Sequence, residues 1–187
     1  SSNAATVLLA LNTLWKANFP IDKLAQLGLS LGADVPIFIH GFSALAQGVG
    51  EQLIPIEPTE YWYLVSKPNC SISTASVFTS KDLPRDTMAQ CLEQISSLNY
   101  FEKHHDDLQN DCQTMVIKHY PEVAKLLAWL VEYAPSRMTG TGACIFSRFS
   151  SKKEAEQLQS QLPKGITSFV AQAVNQSPTL NAIERLN

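Results

Sequence analysis

The sequence predicts an α+β protein, and three observations point there. From Tyr61 onward, strand-length apolar runs and helical stretches follow one another without strict β–α alternation, which argues against a doubly wound sheet. The segment before that is helical by periodicity and then passes into a glycine-containing strand-and-turn stretch. Of the 187 residues, 45% are hydrophobic and 17% charged, enough apolar material to bury a core in one large domain or one and a half ordinary ones.

The opening helix carries Asn3, Thr6, Thr13 and Lys16 as one narrow polar stripe. Val7, Leu8, Leu11, Leu14 and Trp15 occupy the rest, the pattern of a mostly buried helix. Ser1, Ser2 and Asn3 are favoured N-cap types, so the positive helix end is expected at these residues. A second helix is expected over 21–31, with Leu24, Leu27 and Leu31 on one face and Gly32 at its C-terminal stop. Asp34 stands before Val35-Pro36, and proline in a first turn makes Asp34 a natural cap for a short helix to His40. Residues 42–56, with Gly48 and Gly50, read as strand and turn, and Pro55 and Pro58 mark a boundary. A strand follows over 61–65, then helical pieces at 77–79, 88–98 and 107–118. A stronger helix over 122–133 places Val123, Leu126, Leu127 and Leu130 on one side. Strands at 144–149 and 166–174 flank a charged surface helix at 152–162. No internal repeat or low-complexity tract interrupts the pattern.

Composition narrows the function classes. A net charge of −3 supplies no basic field for nucleic acid. The uncharged run from Ser1 to Trp15 is too short to span a bilayer and has no basic leader. Cys70, Cys91, Cys112 and Cys144 form no CxxC pair and read as reduced thiols, so a cytoplasmic protein is expected.

Four stretches could carry chemistry. The serine pair at a helix N-terminus could hold phosphate on free amides, or simply cap the helix. In GADVP, a carboxylate held by a short turn suits a general base, or again a cap. In SRMTGTGACIF, two glycines around a threonine would let backbone amides approach an anion, or form a plain turn. KHHDD reads as a solvated loop in preference to a metal site, because consecutive residues seldom converge on one ion. His40 and His119 look isolated.

SSNAA, LGADVP and TGTGAC occur in that order. With ALAQGVGE and VAQAVNQSP they resemble the GHMP kinase superfamily, and within it the kinases of non-mevalonate isoprenoid precursor synthesis. The resemblance implies a two-domain fold. Residues 1–57 would finish an N-terminal ATP-binding domain of the ribosomal-protein-S5-like type. Residues 58–187 would form an α+β C-terminal domain with an antiparallel sheet. It implies transfer of the ATP γ-phosphoryl group to the 2-hydroxyl of 4-diphosphocytidyl-2-C-methyl-D-erythritol, with Mg²⁺ and no dedicated protein cage for it. Asp34 matches the family's catalytic aspartate. Ser1, Ser2 and Asn3 would continue the ATP loop, and Gly140, Thr141 and Gly142 would close near the phosphates. Thr74 and Phe78 match acceptor contacts, and a stack of Phe78 on cytosine would contribute about 1–3 kcal/mol. In the family a glycine-rich loop directly precedes SSNAA, so the chain is expected to be the C-terminal two-thirds of such a kinase. The lysine partner of Asp34 would lie in the preceding segment. Another GHMP kinase, acting on homoserine or mevalonate, and a non-catalytic binding module remain open readings.

Overall fold

The computed structural model describes residues 1–88, 97–104 and 107–185. Helices α1 (Ser2–Leu14), α2 (Ile21–Leu31) and α3 (Val35–His40) come first, then the strands β1 (Ala44–Gln47) and β2 (Gln52–Pro55). Next are β3 (Trp62–Lys67), α4 (Thr74–Thr79), α5 (Leu98–His104), α6 (Asp111–His119) and α7 (Pro121–Val131). The chain ends through β4 (Ser136–Met138), β5 (Ile145–Phe149), α8 (Lys152–Gln159), β6 (Thr167–Gln172) and α9 (Pro178–Glu184). Two compact units result. The first holds Ser1–Thr59 with the described parts of Cys91–Glu102 and Val174–Asn187; the second holds those of Glu60–Gln90 and Lys103–Ala173.

In the first unit, α1, α2 and α3 close on Ala5, Leu9, Leu24, Ala25, Val35 and Ile39. Gly28 makes the α2–α3 approach possible: a Cβ there would lie 2.6 Å from Ile39 Cδ1 and 2.7 Å from Val35 Cγ1. β1 and β2 pair antiparallel, with Ala44 opposite Pro55 and Gln47 opposite Gln52. The last segment returns to the end of α3, where the Ser177 N–H donates to Gly41 O at 2.8 Å and Leu180 packs on the helical core.

The helical burial departs from the expected pattern. Only Ala5 and Leu9 of α1 are buried, while Leu14 and Trp15 are 67% and 73% exposed. The other two helices and α9 cover one side of α1, while Val7, Leu14 and Trp15 stay exposed. In α2 the buried face is Leu24, Ala25 and Gly28, with Leu27 and Leu31 outside. The small residues face α3 because the helices meet there too closely to admit a leucine at Gly28.

The second unit contains a four-stranded sheet in the order β4-β5-β3-β6, antiparallel throughout. Leu64 of β3 faces Ser147 and Val170, and Ser66 faces Ile145 and Ser168. Strand alternation puts Leu64, Ser66 and Ile145 on one face, which α7 covers with Val123, Leu126, Leu127 and Leu130 as the sequence predicts. Strand β4 and helix α9 were not anticipated. Three residues of β4 give no readable alternation, and α9 is announced only by Ser177-Pro178 as cap and first turn. α4 starts earlier than expected, at Thr74, because the Ser73 side chain caps it. α6 starts later than expected, at Asp111, capped by Asn110. Most of the helix expected over 88–98 lies outside the described residues. No helix among those described is long and apolar enough to cross a membrane.

Candidate functional site

The structure brings the expected site residues together as two groups, one in each unit. In the first, α1 presents its N-terminus with Ser1 as an exposed N-cap and Ser2 and Asn3 exposed in the first turn. The serine does not cap by its side chain. The first intrahelical bond from this end runs from the Ala5 N–H to Ser1 O at 3.0 Å. The amides of Ser2, Asn3 and Ala4 precede it and have no partner inside the helix. Ser1 Oγ sits 3.9 Å from where a Cβ on Gly32 would project. The positive end of α1 therefore lies against the peptide that leads into Asp34.

Asp34 is the N-cap residue of α3 and is exposed, yet its carboxylate makes no capping bond. The Val35 N–H instead donates to Gly32 O at 3.0 Å, and Val35 and Pro36 are buried. The backbone on either side of Asp34 is thus held by a turn and a core anchor while the carboxylate stays available. The tip of the β1–β2 hairpin supports the same peptide. Gly50, at φ +123°, comes so near that a Cβ would sit 2.8 Å from Ala33 O. The hairpin tip is itself tightened by Glu51, whose carboxylate accepts the Val49 N–H at 2.8 Å. Backbone N–H groups hold that carboxyl below the ordinary glutamate range. Ser2 also lines a cavity of about 410 Å³ in this unit, with Phe38, Phe42, Asn175 and Ser177, within the size range of small-molecule pockets.

The second group joins α4 to the glycine turn after β4. Thr74 Oγ1 and Thr141 Oγ1 are hydrogen-bonded at 3.1 Å. Within the turn, Thr139 N–H donates to Cys144 O and Gly142 N–H to Thr139 O, both at 3.0 Å. Gly142, at φ +84°, is pressed against Met138 and Ile72, where a Cβ would meet Sδ at 2.9 Å and Cδ1 at 3.0 Å. Gly140, at φ +55°, meets nothing within 4 Å and sits at the exposed crest. Phe78 follows the fully buried Val77 on α4 and is 54% exposed, so a core anchor presents an open ring.

Several side-chain contacts escaped the sequence reading. Asn110 Nδ2 donates to Met138 O at 3.0 Å and to Gly140 O at 2.9 Å, and Gln113 Oε1 accepts the Met138 N–H at 2.9 Å. Asn110 lies inside the helical stretch expected over 107–118, and its preference for the N-cap position was the available signal. His119, read as isolated, places Nε2 2.6 Å from the Asp82 carboxylate, which Lys118 also meets at 3.0 Å. Of KHHDD, Lys103 and His104 end α5, and His104 pairs with Asp107 at 3.0 Å. His105 and Asp106 lie outside the described residues, and no metal-ligating cluster occurs among those described.

The exposed α1 amides and the Ser1 and Ser2 hydroxyls form a donor set suited to nucleotide phosphates. Hydroxyl and carboxylate oxygens are also the ligand type of Mg²⁺.

Comparison with known proteins gives a consistent picture. The family model described as GHMP kinases C terminal matches residues 88–166. A 4-diphosphocytidyl-2-C-methyl-D-erythritol kinase from Colwellia psychrerythraea is 63% identical over 187 residues, which is 100% of this chain and 61% of that protein. One from Mannheimia succiniciproducens is 52% identical over 187 residues, covering 100% of this chain and 59% of that protein. The crystal structure of a 4-(cytidine 5'-diphospho)-2C-methyl-D-erythritol kinase aligns at TM-score 0.72 and 25% identity, over 90% of this chain and 62% of that one. Homoserine kinase from Cytophaga hutchinsonii aligns at TM-score 0.54 and 16% identity, over 89% of this chain and 62% of that one, a likeness of fold alone. The chain spans about three-fifths of the length of the curated relatives it matches.

Fold and matches point to one class: residues 88–166 match the C-terminal domain of the GHMP kinases, and the fold aligns with a solved 4-(cytidine 5'-diphospho)-2C-methyl-D-erythritol kinase. Along its whole length it is similar to the C-terminal part of the 4-diphosphocytidyl-2-C-methyl-D-erythritol kinases.

Proposed function

We propose that this chain serves an ATP-dependent small-molecule kinase that phosphorylates the 2-hydroxyl of 4-diphosphocytidyl-2-C-methyl-D-erythritol. The observation that carries the reading is Ser1 Oγ lying 3.9 Å from the Cβ position of Gly32. It sets the anion-binding end of α1 beside the peptide bearing an uncommitted carboxylate. The names of relatives at 63% and 52% identity supply the acceptor.

In this reading Asp34 accepts the proton of the acceptor hydroxyl as its oxygen bonds to the γ-phosphorus and the bond to the ADP oxygen breaks. The Ser2 and Asn3 amides hold phosphate oxygens at the positive helix end, and the Ser1 and Ser2 hydroxyls add donors or a metal ligand. In the Gly140–Thr141–Gly142 turn the N–H groups of Gly140 and Thr141 face the phosphates, that of Gly142 holding the turn through Thr139 O. Phe78 stacks on the cytosine and Thr74 contacts the acceptor. Mg²⁺ supplies charge neutralisation on the transferring phosphates. Positioning and charge then account for catalysis without a covalent intermediate. Residues 1–57, with the segment returning from Val174, complete an ATP-binding domain, most of the rest of 58–187 forms the acceptor-side domain, and the protein works in the cytoplasm.

Phosphoryl transfer from ATP, measured with the whole protein against three acceptors, tests this. The cytidyl acceptor is expected to be phosphorylated, and homoserine and mevalonate to be left untouched. Phosphorylation of homoserine without the cytidyl acceptor overturns the reading.

A further inference from the structure

Strand β4 is an edge strand, bonded to β5 on one side only. Met138 turns its N–H and C=O away from β5, and an edge of this kind normally needs cover. Here two side chains of one helix provide it. Gln113 takes the Met138 N–H at 2.9 Å and Asn110 donates to Met138 O at 3.0 Å. The second Asn110 hydrogen goes to Gly140 O at 2.9 Å, on the far side of the bend. Asn110 Oδ1 meanwhile accepts the Cys112 N–H at 3.0 Å, so the same side chain caps α6. Every donor of this amide is committed, and its two outward bonds straddle the start of the glycine turn.

We propose that Asn110 is a positioning residue for the proposed phosphate contact: it clamps the Gly140–Thr141 peptide by holding the carbonyls of Met138 and Gly140 from the N-terminus of α6. The clamp rests on reading that turn as part of the ATP site, but its geometry does not. Gly140 has no packing neighbour within 4 Å of its Cβ position to hold the crest in place. The bond from Asn110 supplies that restraint. The two functions of the side chain are separable. Serine and aspartate rank with asparagine as N-caps and keep an oxygen for the Cys112 amide, but neither retains the NH₂ group.

The test compares Asn110→Ser and Asn110→Asp in the whole protein by thermal melting, amide hydrogen exchange and steady-state kinetics. Melting is expected to fall modestly in both variants, since the cap survives while the bonds to Met138 O and Gly140 O are lost, and to fall further in the aspartate variant, whose carboxylate faces those two carbonyls. Exchange at Thr139 and Gly142, the amides that bond within the turn, is expected to rise by about tenfold or more, with α6 amides unchanged. The KM for ATP is expected to rise by about tenfold while that for the acceptor holds. Unchanged exchange at Thr139 and Gly142 in both variants overturns the clamp. Faster exchange with an unchanged ATP KM upholds the clamp and overturns the turn's role in nucleotide binding. Should the aspartate variant fail to fold, the serine variant carries the same measurements.

Discussion

The Oγ1 atoms of Thr74 and Thr141 lie 3.1 Å apart, a hydrogen bond between positions 67 residues apart in sequence. It ties the helix that presents Phe78 to the turn that carries Gly140 and Gly142. Replacing either threonine by valine keeps the volume and removes the bond, at a cost of about 0.5–1.5 kcal/mol. Since each replacement removes the same bond, the double variant should be little less stable than either single one. Denaturant unfolding of all four proteins measures the coupling, and strictly additive losses would show that the two hydroxyls do not interact.

Gly50 is the second constraint on the site. Its φ of +123° and the 2.8 Å approach of a Cβ to Ala33 O mean that Gly50→Ala must displace the peptide just before Asp34. A misplacement of about 1 Å can lower turnover by about 10²-fold. The expected outcome is a fall in kcat larger than any change in the KM for either substrate. Gly140→Ala is the contrast, because its Cβ meets nothing within 4 Å. Only backbone strain remains there, about 1–2 kcal/mol.

Phe78 carries an exposed ring beside a buried neighbour, Val77. Phe78→Ala should therefore leave stability within about 0.5 kcal/mol, as for most surface substitutions. Loss of a base stack should weaken the acceptor by about 1–3 kcal/mol, roughly five- to 150-fold in affinity. Isothermal titration with the acceptor and with a non-hydrolysable ATP analogue separates the two. Equal weakening of both ligands would remove Phe78 from the cytosine contact.

Asp82 gives a pH signature. The His119 hydrogen bond, then Lys118, pull its carboxyl below the ordinary 3.8. A depressed folded pKa stabilises the fold above the unfolded value, and that contribution disappears as pH falls through the folded value. The stability difference between the unmodified protein and Asp82→Asn should therefore narrow as pH drops below about 4. The exposed pair makes a small effect. Denaturant midpoints at pH 5 and pH 3 measure it, and a difference that widens on acidification would contradict the ion pairing.

The parts of this fold most legible in the sequence were those in which local chemistry and packing agree. Ile21 to Leu31 has helical spacing, proline before it and glycine after it, and it forms that helix. Val123, Leu126, Leu127 and Leu130 bury as their spacing requires. The exposed face of α1 was misread because an apolar pattern states only what a helix can bury. What covers it is decided by neighbouring chain. The motif residues were found by resemblance, whereas Asn110 and Gln113 were not. Their role is to satisfy the edge of a three-residue strand far along the chain, and no local pattern encodes such a pairing.

Asp34 is exposed and makes no capping bond, so Asp34→Asn changes charge and proton affinity without disturbing the helix behind it. The most direct measurement is single-turnover phosphoryl transfer by this variant, alongside its melting temperature and ATP affinity. Turnover is expected to fall by about 10²–10⁴-fold, the range of general acid–base catalysis, with folding and nucleotide binding retained. A variant that folds, binds ATP and transfers phosphate at the unmodified rate would contradict the role of Asp34 as the base.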